Sequence, residues 1–301
     1  MCAKKLFVVG NGFDIYHGIP SSFSDFRKYL ENADRELCRK LEQYFSYEDF
    51  WSDFEQSLAD FDGDYLVDNA SVFLASYEED DWSDSYHYDF QYEINKIVTA
   101  FSETLKSRLT EWILKLTIPS ALDISNKRLN YVDENAIFLT FNYTETLQVA
   151  YSIHESNVLH IHGKAESEKS NLVLGHAWKP VNRNSLMSPE DLENQDVRLA
   201  EGDAIIDEYF KATYKPAEEI IKANRAFFSS LHPIEEIYVL GHSISNVDII
   251  YFQELAKSII SQNTKWRISY LDDDDLTTHT ETMNNLGIHA NLISFSELQN
   301  M

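Results

Sequence analysis

The 301-residue sequence predicts an α/β protein with a doubly wound, mostly parallel sheet and a large α-helical insertion. Short apolar runs rich in β-branched residues, which are typical of buried strands, alternate with amphipathic segments after residue 135. An earlier run of this kind, residues 6–9, precedes the next one, which begins at residue 136. Because parallel strands need crossover connections, strands that alternate with helices favour a parallel sheet.

The first strand runs directly into a glycine turn. Residues 5–20 read KLFVVGNGFDIYHGIP, and Gly10-Asn11-Gly12 follows the apolar run. Glycines permit a sharp turn and a close approach to a ligand, and a helix N-terminus offers N–H groups to phosphate. The match to G-x-G-x-x-G is partial, since Ile15 takes the place of the third glycine. A ligand loop and a plain tight turn are therefore both open.

Residues 30–132 are predicted as a helical insertion within a single domain that spans residues 1–301. Apolar residues recur every three or four positions from 49 to 61 and from 83 to 116. We interpret these aromatic stripes as the core of the insertion. A second helical segment is predicted at about 200–230, broken near Pro216, and residues 178–194 are predicted as a loop.

The remaining strands end in small polar or ionisable residues. They are predicted at 136–141, 158–161, 172–174, 237–241, 266–271 and 289–293, with helices at 144–154, 247–262 and 278–286. Four of them lead into Asn142-Tyr143-Thr144, His162-Gly163-Lys164, Gly175-His176 and Gly241-His242-Ser243. Since ligands of open parallel sheets lie beyond the carboxyl ends of the strands, these junctions and the glycine turn predict one site.

Composition excludes several classes of function. With a net charge of −25 and no basic stripe, the chain is not expected to bind nucleic acid or an anionic membrane surface. The acidic runs 78–81 and 272–275 are predicted as solvated loops. Cys2 and Cys38 do not suggest a disulfide. The apolar runs are too short for a signal peptide or a membrane span, so a cytoplasmic protein is expected.

His160 and His162 stand two apart on a predicted strand and so share one face. They suit either two metal ligands or one catalytic imidazole with a buried structural partner. A third metal ligand would come from one of four residues, His176, His242, Asp14 or Asp248. The motifs H-E-x-x-H and C-x-x-C are absent, so no metal is expected and a general base is favoured.

Asn142 follows another strand, where an amide can hold a water molecule or a ribose hydroxyl without adding charge. Neither a P-loop nor a G-x-S-x-G motif is present, which argues against an NTPase and against acyl transfer.

Four motifs together resemble the AbiH family of phage abortive-infection proteins in order and spacing. They are GNGFD with HGIP at 10–20, FNYT at 141–144, HIHG at 160–163, and GHS at 241–243 with Asp248. The resemblance extends from residue 5 to about 255 and includes WSDFEQSL at 51–58 in the helical block. That family is in turn similar to the sirtuin-like, Rossmann-like NAD-binding fold.

The resemblance implies roles for individual residues. Gly10, Asn11 and Gly12 would hold the pyrophosphate, Asn142 and His162 would be the catalytic pair, and Gly241 and Ser243 would line the adenosine ribose. Asp14 is a further catalytic candidate, to bind ribose hydroxyls or to stabilise a cation. The remaining cofactor-binding candidates are Phe13, Thr144, His160 and Asp248. Sirtuins carry an aspartate where this chain has Thr144, and their zinc-binding cysteines have no counterpart, which argues against protein deacylation.

The leading hypothesis is an anti-phage effector that hydrolyses NAD⁺, its substrate, to ADP-ribose and nicotinamide. The alternative is a sensor that binds NAD⁺ or a related nucleotide without cleaving it and signals to a partner. A metal-dependent hydrolase that uses His160 and His162 is a third possibility. A homo-oligomer and a partner from a defence system are both compatible with the sequence.

Overall fold

The computed structural model describes residues 4–45, 50–74, 88–180, 196–259 and 263–301. The chain divides into two compact units. The sheet unit comprises Met1–Asp25, Thr110–Val173 and Pro216–Met301, and the helical unit comprises Phe26–Leu109 and Leu174–Lys215. The acidic run 78–81 and residues 181–194 of the predicted loop lie outside the described residues.

Among the described residues, six strands form one all-parallel sheet in the order β3-β2-β1-β4-β5-β6. The strands are β1 Lys5–Val9, β2 Ile137–Thr140, β3 Val158–His160, β4 Glu236–Leu240, β5 Lys265–Tyr270 and β6 Ile293–Glu297. The predicted α/β architecture with a parallel sheet is confirmed. The last strand begins at residue 293 rather than 289, because residues 290–292 form a helical turn.

The predicted strand at 172–174 is wrong. This segment joins no strand of the sheet. Instead, the Val173 N–H donates to the His162 carbonyl at 2.8 Å, and the Tyr143 hydroxyl donates to the Val173 carbonyl at 2.7 Å. Both bonds go to residues that follow β2 and β3, so the segment pairs with loops beyond the strands and not with a sheet edge.

The helices occupy the segments between the strands and most of the helical unit. They are α1 Asn11–Tyr16, α2 Phe23–Ala33, α3 Arg35–Tyr44, α4 Phe54–Ser57, α5 Gly63–Ala70, α6 Asp89–Thr99, α7 Leu105–Leu114, α8 Thr146–Tyr151, α9 Val197–Ala212, α10 Ala217–Ala223, α11 Arg225–Ser229, α12 Ile249–Ser258 and α13 Asp273–Asn285. None of the described helices is long and apolar enough to cross a membrane.

The acidic run 272–275 begins a helix, so its prediction as a loop is wrong. The Asp272 side chain accepts a hydrogen bond from the Asp275 N–H at 2.9 Å and caps α13. Three aspartates follow in the first turn, where the partial positive charge of a helix N-terminus stabilises carboxylates. Side-chain capping therefore makes these charges part of the helix, while most of them remain exposed to solvent.

Alternation along the strands buries both faces of the sheet, as expected for parallel strands joined by helices. Leu6 and Val8 of β1 belong to one hydrophobic core, and Phe7 and Val9 to another. The carboxyl ends of four strands are in register. Val9 pairs with Thr140 of β2 and Leu240 of β4, and Thr140 pairs with His160 of β3. The residues that follow these strands consequently emerge at the same edge.

The helical unit has an aromatic core, as its sequence period predicts. Phe61 and Tyr209 lie 4.5 Å apart between ring centroids, and Phe45 and Phe101 lie 5.3 Å apart. Helices α6 and α7 form one run, joined by a wider π-helical turn at Ala100–Thr104. The predicted helix at 49–61 is reduced to α4 and a short 3₁₀ turn, Leu58–Asp60.

Candidate functional site

The turns after β1 and β4 pack backbone against backbone. The Gly10 N–H donates to the Leu240 carbonyl at 2.9 Å, and the Gly12 N–H donates to the Gly241 carbonyl at 2.8 Å. Gly241 has a φ of +59°, and a Cβ there would lie 2.3 Å from the Phe13 nitrogen. The contact between the two turns thus requires these glycines, whose N–H groups are used within the protein. Their role with a pyrophosphate stays a prediction.

We expect Gly241→Ala to destabilise the protein by roughly 3 kcal/mol or more, because it adds a backbone clash to the cost of about 1–2 kcal/mol for a left-handed residue. Gly287→Ala is the matched control, since Gly287 has a φ of +76° and no atom lies within 4 Å of the position that a Cβ would take. Urea unfolding of both variants measures the difference. Equal losses would show that the two turns tolerate a side chain.

Asn142, which follows β2, is bound to the glycine turn. Its side-chain amide donates to the Gly10 carbonyl at 3.1 Å, and its backbone N–H donates to the Thr140 hydroxyl at 3.1 Å. The residue is 7% exposed. The turns after β2, β1 and β4 are therefore linked side by side, as the predicted convergence of strand ends requires.

Both ring nitrogens of His160 are used inside the protein. Nδ1 lies 3.0 Å from the Asn142 carbonyl and Nε2 lies 2.9 Å from the Gln148 amide nitrogen. A carbonyl can only accept and an amide NH₂ can only donate, so His160 is a neutral imidazole that carries its proton on Nδ1. Burial lowers the pKa of His160, which favours the same neutral form. In this arrangement His160 orients the Asn142 backbone.

Asp14 and Thr144 form a buried pair. The Thr144 hydroxyl donates to Asp14 Oδ2 at 2.5 Å and lies 3.1 Å from the Thr146 hydroxyl. Burial raises the pKa of Asp14 to about 6, although hydrogen bonds, of which that from Thr144 is the strongest, act in the opposite direction. Threonine at position 144 thus contacts a carboxylate supplied by α1.

His162 and His242 face the same carboxylate. His162 Nε2 lies 3.5 Å from Asp248 Oδ1, and His242 Nε2 lies 3.7 Å from Asp248 Oδ2. All three residues are buried. The Ile244 N–H donates to His242 Nδ1 at 2.9 Å, so the proton of His242 is on Nε2, toward Asp248. A base oriented by a carboxylate is a recurrent arrangement in catalytic sites.

The turn that carries His242 is strained. Ile244 has a φ of +49°, a conformation that is rare for a β-branched residue. Such strain concentrates at functional sites, where surrounding contacts maintain it. Ser243, predicted to line a ribose, is exposed in this turn.

Two other predicted ligand residues have side chains engaged elsewhere in the sheet unit. The Asn11 amide donates to the Ser21 carbonyl at 2.8 Å and accepts from the Ser21 hydroxyl at 2.6 Å. The Phe13 ring is fully buried and packs on Tyr151 with a centroid distance of 5.6 Å. These contacts hold α1 in place.

His176 belongs to the helical unit, where it forms a bridge with Tyr214 and is fully buried. Among the described residues no group of three or more His, Cys, Asp or Glu side chains is placed to hold a metal ion. From the sequence alone, His242 is a candidate only as a metal ligand, and Gln148 and Thr146 are not candidates at all. The G-H-S sequence after a strand was the available signal for His242, whereas the other two lie on α8 without a motif.

Comparison with protein families gives a match over residues 6–270 to Bacteriophage abortive infection AbiH. The chain belongs to the AbiH family. This match confirms the predicted resemblance to the AbiH family, and it includes every site residue described above. Membership of the AbiH family indicates a role in phage abortive infection. A comparison of this AbiH-family chain with curated proteins found no match.

Proposed function

We propose that this AbiH-family protein is an abortive-infection effector that hydrolyses the bond between nicotinamide and ribose in NAD⁺. The observation that carries the proposal is the set of polar side chains at one edge of the parallel sheet. The Asp14–Thr144 pair lies beside Asn142, and His162 faces Asp248, each after the end of a neighbouring strand.

The strand order supports a dinucleotide as ligand. The order β3-β2-β1-β4-β5-β6 is the one found in doubly wound, Rossmann-type dinucleotide-binding sheets. In such sheets the ligand lies where the order reverses, which here is between β1 and β4. The glycine turns after these two strands are in direct contact. The sirtuin-like resemblance of the motifs points to the same ligand.

These side chains can supply the general base, the positioning amide and the carboxylate that hydrolysis of the C1′–N bond requires. Water attacks C1′ of the nicotinamide-bearing ribose, the C1′–N bond breaks, and its electron pair passes to the pyridinium nitrogen. His162 takes the proton of the water, with Asp248 orienting the imidazole. Asn142 positions the water or a ribose hydroxyl. The Asp14 carboxylate stabilises the positive charge that develops on the ribose in an oxocarbenium-like transition state.

A sensor that binds a dinucleotide without cleaving it is the second candidate. The internal use of the Gly10 and Gly12 N–H groups and of both His160 nitrogens favours it, because fewer groups remain for a reacting ligand. Such a protein would change conformation on binding and signal to a partner.

Incubation of the purified protein with NAD⁺, with and without phage lysate, followed by chromatography for nicotinamide and ADP-ribose, tests the proposal. We expect both products in equal amounts in at least one condition. NAD⁺ that stays intact in both, while a thermal shift shows that it binds, would replace the proposal with the sensor. Activity that a chelator removes would favour a metal-dependent hydrolase instead.

A further inference from the structure

Asp14 has one carboxylate oxygen without a hydrogen-bond partner among the described residues. Oδ2 accepts from Thr144, whereas Oδ1 is buried and has no hydrogen-bond partner there. The Thr146 and Asn142 side chains also lower the pKa of this carboxylate, but less than Thr144 does. The residue is 1% exposed. Neither a lysine nor an arginine of the described chain forms an ion pair with it.

A buried carboxylate in this state is costly. Burial raises its pKa to about 6, yet above that pH the group is mostly ionised. Burial of a charge without an opposite charge is unfavourable in proteins, so such a group favours a ligand that brings positive charge or a hydrogen-bond donor. The Thr144 hydroxyl binds Oδ2, whereas no donor binds Oδ1, so the charge on this side of the carboxylate is not compensated within the described residues.

We infer that Asp14 makes this site selective for the oxidised dinucleotide, an inference that rests on the proposed function. NAD⁺ and NADH have nearly the same size and the same phosphates, but the pyridinium ring of NAD⁺ carries a positive charge and the dihydronicotinamide ring is neutral. A carboxylate that lacks a cation within the protein attracts the first ring and gains little from the second.

Isothermal titration calorimetry at pH 7.5 with NAD⁺ and NADH tests this selectivity. The His162→Ala background prevents turnover of NAD⁺ during the titration. We expect NAD⁺ to bind roughly 10- to 100-fold more tightly than NADH, as expected for one charge pair at a partly buried site. Asp14→Asn in the same background should reduce that ratio to within about threefold, because the amide has the shape of the carboxylate without its charge.

Asp123→Asn is the control for net charge. Asp123 is an exposed residue of the sheet unit that is bound to Ser120, so this variant changes the charge of the chain equally and should leave the ratio unchanged. A ratio near one, or a ratio that survives Asp14→Asn, would overturn the inference while the chromatographic assay still supports hydrolysis. Binding of neither dinucleotide would overturn the proposed function as well. Thermal unfolding of Asp14→Asn shows whether the variant is folded.

Discussion

Replacement of His162 by alanine is expected to lower the rate of NAD⁺ hydrolysis by roughly 10²- to 10⁴-fold, the usual contribution of a general base. His162 is 2% exposed and faces Asp248. Steady-state kinetics should show the loss in kcat rather than in KM, because proton transfer stabilises the transition state and not the bound substrate.

Three further variants test whether the loss of activity in His162→Ala is due to the proposed mechanism. Asn142→Ala should cause a loss of similar size. Asp248→Asn should also lower kcat, because a neutral amide no longer stabilises the imidazolium form of His162. His154→Ala is the control, since His154 is an exposed histidine of the sheet unit. Full turnover in His162→Ala would remove this residue from the mechanism.

Replacement of Asp14 by asparagine is expected to stabilise the ligand-free protein at pH 7.5 by up to about 3 kcal/mol. The pKa of Asp14 is about 6 in the folded chain and 3.8 as its reference value, and each unit corresponds to about 1.4 kcal/mol. Because the pKa of Asp14 is higher in the folded chain, the contribution of this side chain to the free energy of unfolding is fully present below about pH 4. It is lost as the pH rises through 6. Asparagine stays neutral and avoids this loss.

Urea unfolding at pH 4.5 and at pH 7.5 measures the effect. Asp14→Asn should gain stability over the wild type at pH 7.5 and much less at pH 4.5. Asp123→Asn provides the comparison, because the pKa of Asp123 is lowered by hydrogen bonds from Ser120, so its replacement should not stabilise the protein at pH 7.5. A loss of stability in Asp14→Asn at pH 7.5 would mean that the folded protein compensates the charge. A carboxylate kept at such a cost is consistent with a role toward a ligand.

The two histidines of the H-I-H motif illustrate what periodicity misses. Alternation predicts that His160 and His162 share one face of a strand, but β3 ends at His160. Beyond the strand the period of two no longer applies. His160 consequently bonds to the Asn142 backbone while His162 faces Asp248. The residue pattern left open which imidazole is catalytic and which is structural, whereas the family resemblance implied His162. The hydrogen bonds of His160 support the proposal that His162 is the base.

The sequence by itself determined the α/β class, the parallel sheet and the strands that end in polar residues. These features follow from the spacing of apolar residues and from composition, which are local properties of the chain. It also determined membership of the AbiH family through the spacing of four motifs. The tertiary structure decided which polar residues meet. Asp14 and Thr144 are 130 positions apart, and Gly12 meets Gly241 through a register between β1 and β4. Such contacts depend on the order of strands in the sheet, which no local pattern encodes.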